Sequence, residues 1–366
     1  MVTGKIGLQQ RVLPSYRSTF FDMLAGVCSD GLGVFAGKPL AIEEISYTQK
    51  LSIASNTEAQ NIHFSDPSTS FYICWQKNII AWLKSFDPKI LILEANPRYL
   101  SSRLAIQWMH SRSRPVIGWG LGAPPISGSF AGIRRWERYS FLHSLDAIIA
   151  YSKKGAQEYK ALGLSDQQIF IAPNAVTPKP VNPLPERTNQ FSERPSILFV
   201  GRLQTRKRID ILLSACASLD PDIQPNLTII GDGPVRSNLE EVASQIYPRT
   251  VFTGAKQGNE LDSYFDQADL FVLPGTGGLA VQQAMAHGLP VIVAQGDGTQ
   301  DALVTSQNGW IIPSDDNLYL GATLKDALSD PSRLRQMGAE SYRIVSQDVN
   351  LEKMVEVFEN ALESVV

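Results

Sequence analysis

The segment from Asp269 to Ala294 constrains this chain more than any other. Leu270 to Leu273 is an apolar run, Gly275, Gly277 and Gly278 fall in the loop behind it, a helical pattern follows, and Gly288 and Pro290 precede a second apolar run. This reads as one strand-loop-helix-strand unit whose glycines lie at the carboxyl end of a strand. Open parallel sheets bind their ligands there, and main-chain N–H groups stand ready for an anion. A tight βα turn with positive φ satisfies the same pattern without binding anything.

The alternation continues along most of the chain, as parallel sheets built from βαβ units require. In the first half it predicts strands at Ile6–Gln9, Gly33–Phe35, Ile90–Leu93, Val116–Trp119, Ala147–Ala150 and Ile169–Ala172. Helices are predicted at Ser15–Ala25, Tyr99–Ser111, Arg134–His143 and Lys154–Leu162, and the polar stretch Lys38–Ser70 reads as loop. Pro178, Pro180, Pro183 and Pro185 fit neither a regular helix nor a central strand, so 178–194 reads as an extended linker. The alternation resumes with Ile197–Val200, Leu227–Ile230 and Val251–Thr253, separated by helices Arg208–Leu219, Val235–Tyr247 and Glu260–Ala268. The expected organisation is two α/β domains, 1–177 and 195–340. After them 341–366 carries a final helix whose Val355, Phe358, Leu362 and Val365 share one face.

With 366 residues, 43% hydrophobic and 19% charged, the chain has the composition of a folded protein with room for two cores. It shows no signal-peptide pattern and no apolar run of membrane-spanning length, so a cytoplasmic location is expected. The net charge of −3 is uneven: residues 1–180 carry +7 and 181–366 carry −10. A basic first half suits a phosphorylated or membrane-surface partner, but its charge is too dispersed for a nucleic-acid interface. Cys28, Cys74 and Cys216 are too far apart for a disulfide framework or a metal pair. His63, His110, His143 and His287 lack ligand spacing, and no metal site is expected.

Three further features carry chemistry. Gly201-Arg202-Leu203 follows the strand Ile197–Val200, and Lys207 stands five residues beyond Arg202 at the next helix start. Two cations so spaced can converge on a crevice where a diphosphate needs them. Gly231 and Gly233 likewise follow the strand Leu227–Ile230. In the first half, Glu94 and Arg98 follow the strand Ile90–Leu93, while Arg11, Tyr16 and Arg17 follow the first strand. The run from Arg134 to Leu142 mixes basic and aromatic residues at helical spacing. It fits an anionic membrane surface or, as an ordinary domain helix, turns its aromatics to the core.

Taken together, VGRL with Lys207, IIGDGP, FTG, DLFVLP and GGLAVQQAMAHGLPVIV resemble the carboxy-terminal half of glycosyltransferase family 4, the retaining nucleotide-sugar enzymes of GT-B fold. The resemblance spans about 195–315. It extends more weakly to QQRVLPSYRSTFF, ILEANPR, WGLG and YSKKGAQEY, which are similar to members that build bacterial polysaccharides. It implies an α/β protein of two Rossmann-like domains with a cleft between them, and a last helix that crosses back to the first domain. By position, Arg202 and Lys207 would clamp the diphosphate. Gly201, Gly231, Gly275, Thr276, Gly277, Gly278 and Leu279 would supply the close main-chain approach, and Gln283 would reach the ribose. Glu94, Arg11, Arg17, Arg98 and Trp119 would face the acceptor, a glycan or lipid-linked group. The donor would be a nucleoside diphosphate sugar, with no cofactor or metal.

Two departures from the family pattern stand out. Gly275 and Gln283 occupy positions where the family usually has two Glu, and Leu121 one where it often has His. They leave open a non-catalytic nucleotide-sugar sensor. A nucleotide-sugar epimerase would need acid and base residues that the sequence does not place.

Overall fold

The computed structural model describes residues 2–366 other than 44, 49, 66–68, 70, 257, 278 and 297–299, and the side chains of all these except 42 and 301. It divides into two compact units, Met1–Val176 with Leu351–Val366, and Thr177–Asn350.

The first stretch runs β1 (Ile6–Val12), α1 (Ser18–Gly26), β2 (Leu32–Gly37), β3 (Ser55–Glu58), β4 (Gln60–Phe64), β5 (Ile73–Lys77) and α2 (Ile79–Phe86). It continues with β6 (Ile90–Glu94), α3 (Leu100–His110), β7 (Val116–Gly120), α4 (Ala131–Leu142), β8 (Ala147–Ala150), α5 (Lys153–Ala161) and β9 (Ile169–Ile171). The second unit holds β10 (Ser196–Val200), α6 (Ile209–Ala217), β11 (Asn226–Ile230), α7 (Arg236–Ile246), β12 (Thr250–Gly254), α8 (Gly258–Gln267) and β13 (Leu270–Leu273). There follow α9 (Ala280–Ala286), β14 (Val291–Ala294), β15 (Gly309–Ile312), α10 (Asn317–Leu328) and α11 (Pro331–Gln347). The last helix, α12 (Leu351–Glu363), belongs to the first unit.

The first unit is built on a seven-stranded sheet of order β3-β2-β1-β6-β7-β8-β9. All its pairings are parallel. Its strands are apolar on both faces because helices cover both. In β6 the pleat sends Ile90 and Ile92 into one core with α1 and α12, and Leu91 and Leu93 into another with α2 and α3. Helix α12 contributes Leu351, Met354, Val355, Phe358 and Leu362, an apolar stripe buried against α1 and the β8–β9 edge. The ring of Phe358 meets Phe20 at 4.9 Å and Trp119 at 5.0 Å, both edge-on.

The second unit has a six-stranded parallel sheet of order β12-β11-β10-β13-β14-β15 around one core. In each sheet the strand order turns back at the first strand, between β1 and β6 and between β10 and β13. Within each sheet, the carboxyl ends of that pair frame a crevice of the kind in which open α/β sheets bind ligands.

Several expectations need correction. Within Lys38–Ser70, read as loop, β3 joins the sheet edge and β4 pairs with β5 as an antiparallel ribbon. The polar sequences SNTE and QNIHF carry no apolar alternation because both strands are largely solvent-facing. Residues 341–347 continue α11 in the second unit and do not group with the final helix. The proline-rich stretch has no regular structure, yet Arg187 within it ties it to the second unit, donating to the carbonyls of Phe265 (3.0 Å), Ala268 (3.2 Å) and His287 (2.9 Å). Among the described residues no helix is long and apolar enough to cross a membrane.

Candidate active site

In the second unit the turn after β10 and the loop after β13 are stitched together. Gly201 N–H donates to Ile230 and Leu203 N–H to Asp232, which lays the ends of β10 and β11 side by side. A Cβ on Gly231 would lie 1.9 Å from the Gly201 carbonyl oxygen, so only glycine permits this approach. On the other side Thr276 N–H donates to the Arg206 carbonyl at 3.1 Å. A Cβ on Gly275 would lie 2.1 Å from that same oxygen. This gives Gly275 a physical reason: a carboxylate side chain there has no space while the loop holds its position.

Lys207 is buried, 6% exposed, and its Nζ donates to the carbonyl of Thr276 at 2.9 Å and to that of Gly277. Burial, reinforced by the charge of Arg206, pulls its ammonium down from 10.5 to about 8. Arg206 also donates to the Thr276 carbonyl, at 3.2 Å. Arg202 is exposed at the end of β10, and its charge helps hold Asp232 below the usual carboxylate range, behind the Gly233 N–H and Arg236. The structure therefore brings Arg202, Lys207, Gly201, Gly231, Gly275, Thr276 and Gly277 to one end of one sheet.

The other expected contacts fare differently. Gly278 lies outside the described residues. Leu279 precedes α9, which has only seven residues and so offers a weak dipole. Gln283 is half-buried on α9, whereas its neighbour Gln282 is fully committed to the main chain, accepting from Thr177 N–H and donating to the Val349 carbonyl. Sequence reasoning missed Gln300, which is buried and donates to the Gly275 carbonyl at 3.0 Å. A lone Gln behind a loop carries no pattern that marks it.

In the first unit the β1–β6 switch holds Glu94. Its carboxylate accepts from Arg11 N–H at 3.1 Å, and burial pushes its carboxyl above the ordinary range against the pull of Arg11. Arg11 itself forms a two-pronged ion pair with Glu43, at 2.9 and 2.6 Å, so its guanidinium is already engaged. Arg17 is 3% exposed, lies 4.6 Å from the Trp119 ring centre and donates to Asn174. Arg17, expected to face the acceptor, is instead packed, its guanidinium lying against Met354 of α12 and Asn174. Trp119 is buried but borders a cavity of about 500 Å³ together with Glu94, Arg98, Arg138, Tyr151 and Tyr159. Leu121 is exposed beside it, and His63 bonds Tyr72 at 2.7 Å. Among the described residues no group of His, Cys, Asp and Glu could hold a metal ion.

Two Rossmann-like units, the second with a glycine-lined switch point, define a protein of GT-B architecture. Residues 182–344, which lie within the second unit, match the model of the family described as glycosyl transferases group 1. Over 246 residues the chain is 29% identical to a GDP-mannose-dependent alpha-mannosyltransferase of Mycobacterium tuberculosis, covering 63% of this chain and 62% of that protein. Over 125 residues it is 35% identical to the sulfoquinovosyl transferase of Arabidopsis thaliana, covering 33% of this chain and 24% of that one. The chain thus spans a quarter to about three-fifths of these relatives' length. The fold matches Anabaena Alr3699/HepE, solved with UDP, at a TM-score of 0.72, 14% identity and full coverage of both chains. It matches sucrose-phosphate synthase of Thermosynechococcus elongatus at 0.69, with 18% identity and 97% coverage of each.

Proposed function

We propose that this protein is a glycosyltransferase that moves a hexose-type residue from a nucleoside diphosphate sugar to a glycan or lipid-linked acceptor, with retention of configuration. The observation that carries the reading is the β10–β13 switch, where the buried Lys207 and the glycine loop 275–277 meet, with Arg202 exposed at the end of β10. Matched relatives named as mannosyltransferases support a hexosyl donor.

In the transfer, the bond from the sugar C1 to the diphosphate oxygen breaks and its electron pair leaves with the diphosphate. A new bond forms from C1 to the acceptor oxygen on the same face, and the acceptor proton passes to the departing phosphate. The charge that grows on the leaving group is the largest thing to stabilise, and Arg202 and Lys207 are placed to do it. Gln283 reaches the ribose by its amide, while Gly275 brings no side chain to the donor sugar. Glu94 and Arg98 face the acceptor. Replacing Arg202 or Lys207 by Ala lowers transfer at least about 100-fold, the scale of losing a preorganised charge donor. Unchanged turnover in both variants sinks the proposal.

A lipid-linked acceptor is favoured by α4. Phe130, Ile133 and Trp136 are 66%, 64% and 70% exposed, and Phe71 lies against Phe130. Only Phe141 and Leu142 of this helix are buried, so most of its aromatics do not face the core. With Arg134 and Arg135 interleaved, the exposed side suits an anionic membrane surface.

A further inference from the structure

The cavity of the first unit holds a feature that the donor chemistry does not use. Arg98, on the β6–α3 loop, and Arg138, on α4, both border it, and among the described residues neither guanidinium has an ion pair. Arg138 is half-buried and spends one N–H on the Pro124 carbonyl. Burial and, after it, the charge of Arg98 lower its guanidinium below the ordinary value. Two like charges on the wall of one recess repel, and an anion between them removes the repulsion while taking their planar N–H forks.

The acids nearby are already occupied. Glu94 accepts from Arg11 N–H, and Glu158, which acts on Arg138, accepts from Ala123 N–H at 2.8 Å. The remaining wall is aromatic, with Trp119, Tyr151 and Tyr159. A volume of about 500 Å³ takes a phosphorylated sugar.

We propose that this cavity binds the acceptor by a phosphate group held between Arg98 and Arg138, with a sugar ring against the aromatic wall. Calling the ligand an acceptor rests on the glycosyltransferase reading; the anion site itself does not. The phosphate belongs either to a free glycosyl phosphate or to a polyprenyl-linked one.

The test titrates the full chain with glucose 1-phosphate in solution and with a polyprenyl phosphate in neutral detergent micelles. It compares wild type with Arg98→Gln, Arg138→Gln, Arg138→Lys and Arg202→Ala, each checked for folding by thermal melting. Loss of a charge-assisted contact weakens binding about 10- to 100-fold in each Gln variant, with partial recovery in Arg138→Lys. Methyl glucoside, which lacks the phosphate, is unaffected by any substitution. Arg202→Ala leaves binding of both phosphates intact while weakening nucleoside diphosphate, so failure here and failure of the donor site are separate outcomes. Binding of the soluble phosphate identifies the free source, and binding confined to micelles identifies the lipid-linked one. Should Arg138→Gln not fold, the exposed Arg98→Gln decides alone. Binding of neither phosphate, or equal binding by wild type and Arg98→Gln, overturns the proposal.

Discussion

Lys207 makes the proposed donor site testable by pH alone. Its ammonium titrates near 8 in the free protein against 10.5 when unperturbed, because burial strips it of water and main-chain carbonyls replace only part of what is lost. A diphosphate binds the charged form, so affinity follows the protonated fraction: about three-quarters near pH 7.5 and a tenth near pH 9. Calorimetric titration with a nucleoside diphosphate, whose phosphates stay ionised throughout, then weakens about eightfold over that span. Lys207→Arg, charged at every pH used, gives a flat profile. Stability moves the other way: the folded value lies below the unfolded one, so the unfolded chain holds more protons between about 8 and 10.5 and the fold gains stability as pH rises through that window. Opposite trends in affinity and melting temperature therefore mark Lys207. Wild-type affinity that stays level over this range, or a Lys207→Arg profile that falls in parallel with wild type, refutes the assignment.

Other outcomes follow from the packing. Phe358→Ala removes a fully buried ring from between Phe20 and Trp119 and costs the first unit about 3–5 kcal/mol, measured by denaturant unfolding; a loss below about 1 kcal/mol shows that α12 is not integral to that core. Gly231→Ala forces the ends of β10 and β11 apart, since its Cβ meets the Gly201 carbonyl, and weakens nucleoside diphosphate binding at least about tenfold with the fold retained; equal affinity by calorimetry disproves the role of that approach. The pair Ile133→Glu and Trp136→Glu abolishes flotation with anionic vesicles and leaves transfer to a soluble acceptor unchanged, whereas wild type that never floats rejects membrane attachment.

The parallel sheets were legible because strands such as Ile90–Glu94, buried on both faces, announce themselves as unbroken apolar runs. The strands β3 and β4 were not, since their stability comes from pairing with neighbours and little of it from burial. The same limit explains Arg11 and Arg17. Their positions after the first strand were readable, but their partners Glu43 and Asn174 lie far along the chain, and only the fold reveals that both guanidinia are already engaged. Helix α4 shows the reverse failure. Helical spacing of aromatics does not say which way they point, and here Trp136 turns outward.

The two units handle their cations in opposite ways, and this bears on how a donor and an acceptor would be distinguished. Lys207 has main-chain oxygens as partners, which are neutral, so a diphosphate gains by exchanging dipoles for full charge but must first part Lys207 from the carbonyls of Thr276 and Gly277. On the proposed reading, donor binding would cost a local rearrangement of the loop that Gln300 and the Arg206 carbonyl hold in place. Among the described residues Arg98 and Arg138 have no such competitor beyond the Pro124 carbonyl, and an anion would enter their recess without displacing an ion pair. Proton uptake separates the two events. Near pH 8 a diphosphate on Lys207 takes up about half a proton as the ammonium is restored, while a phosphate on two guanidinia takes up none. Titrations in buffers of different ionisation enthalpy read that difference directly, and uptake by neither ligand would show that the diphosphate does not reach Lys207.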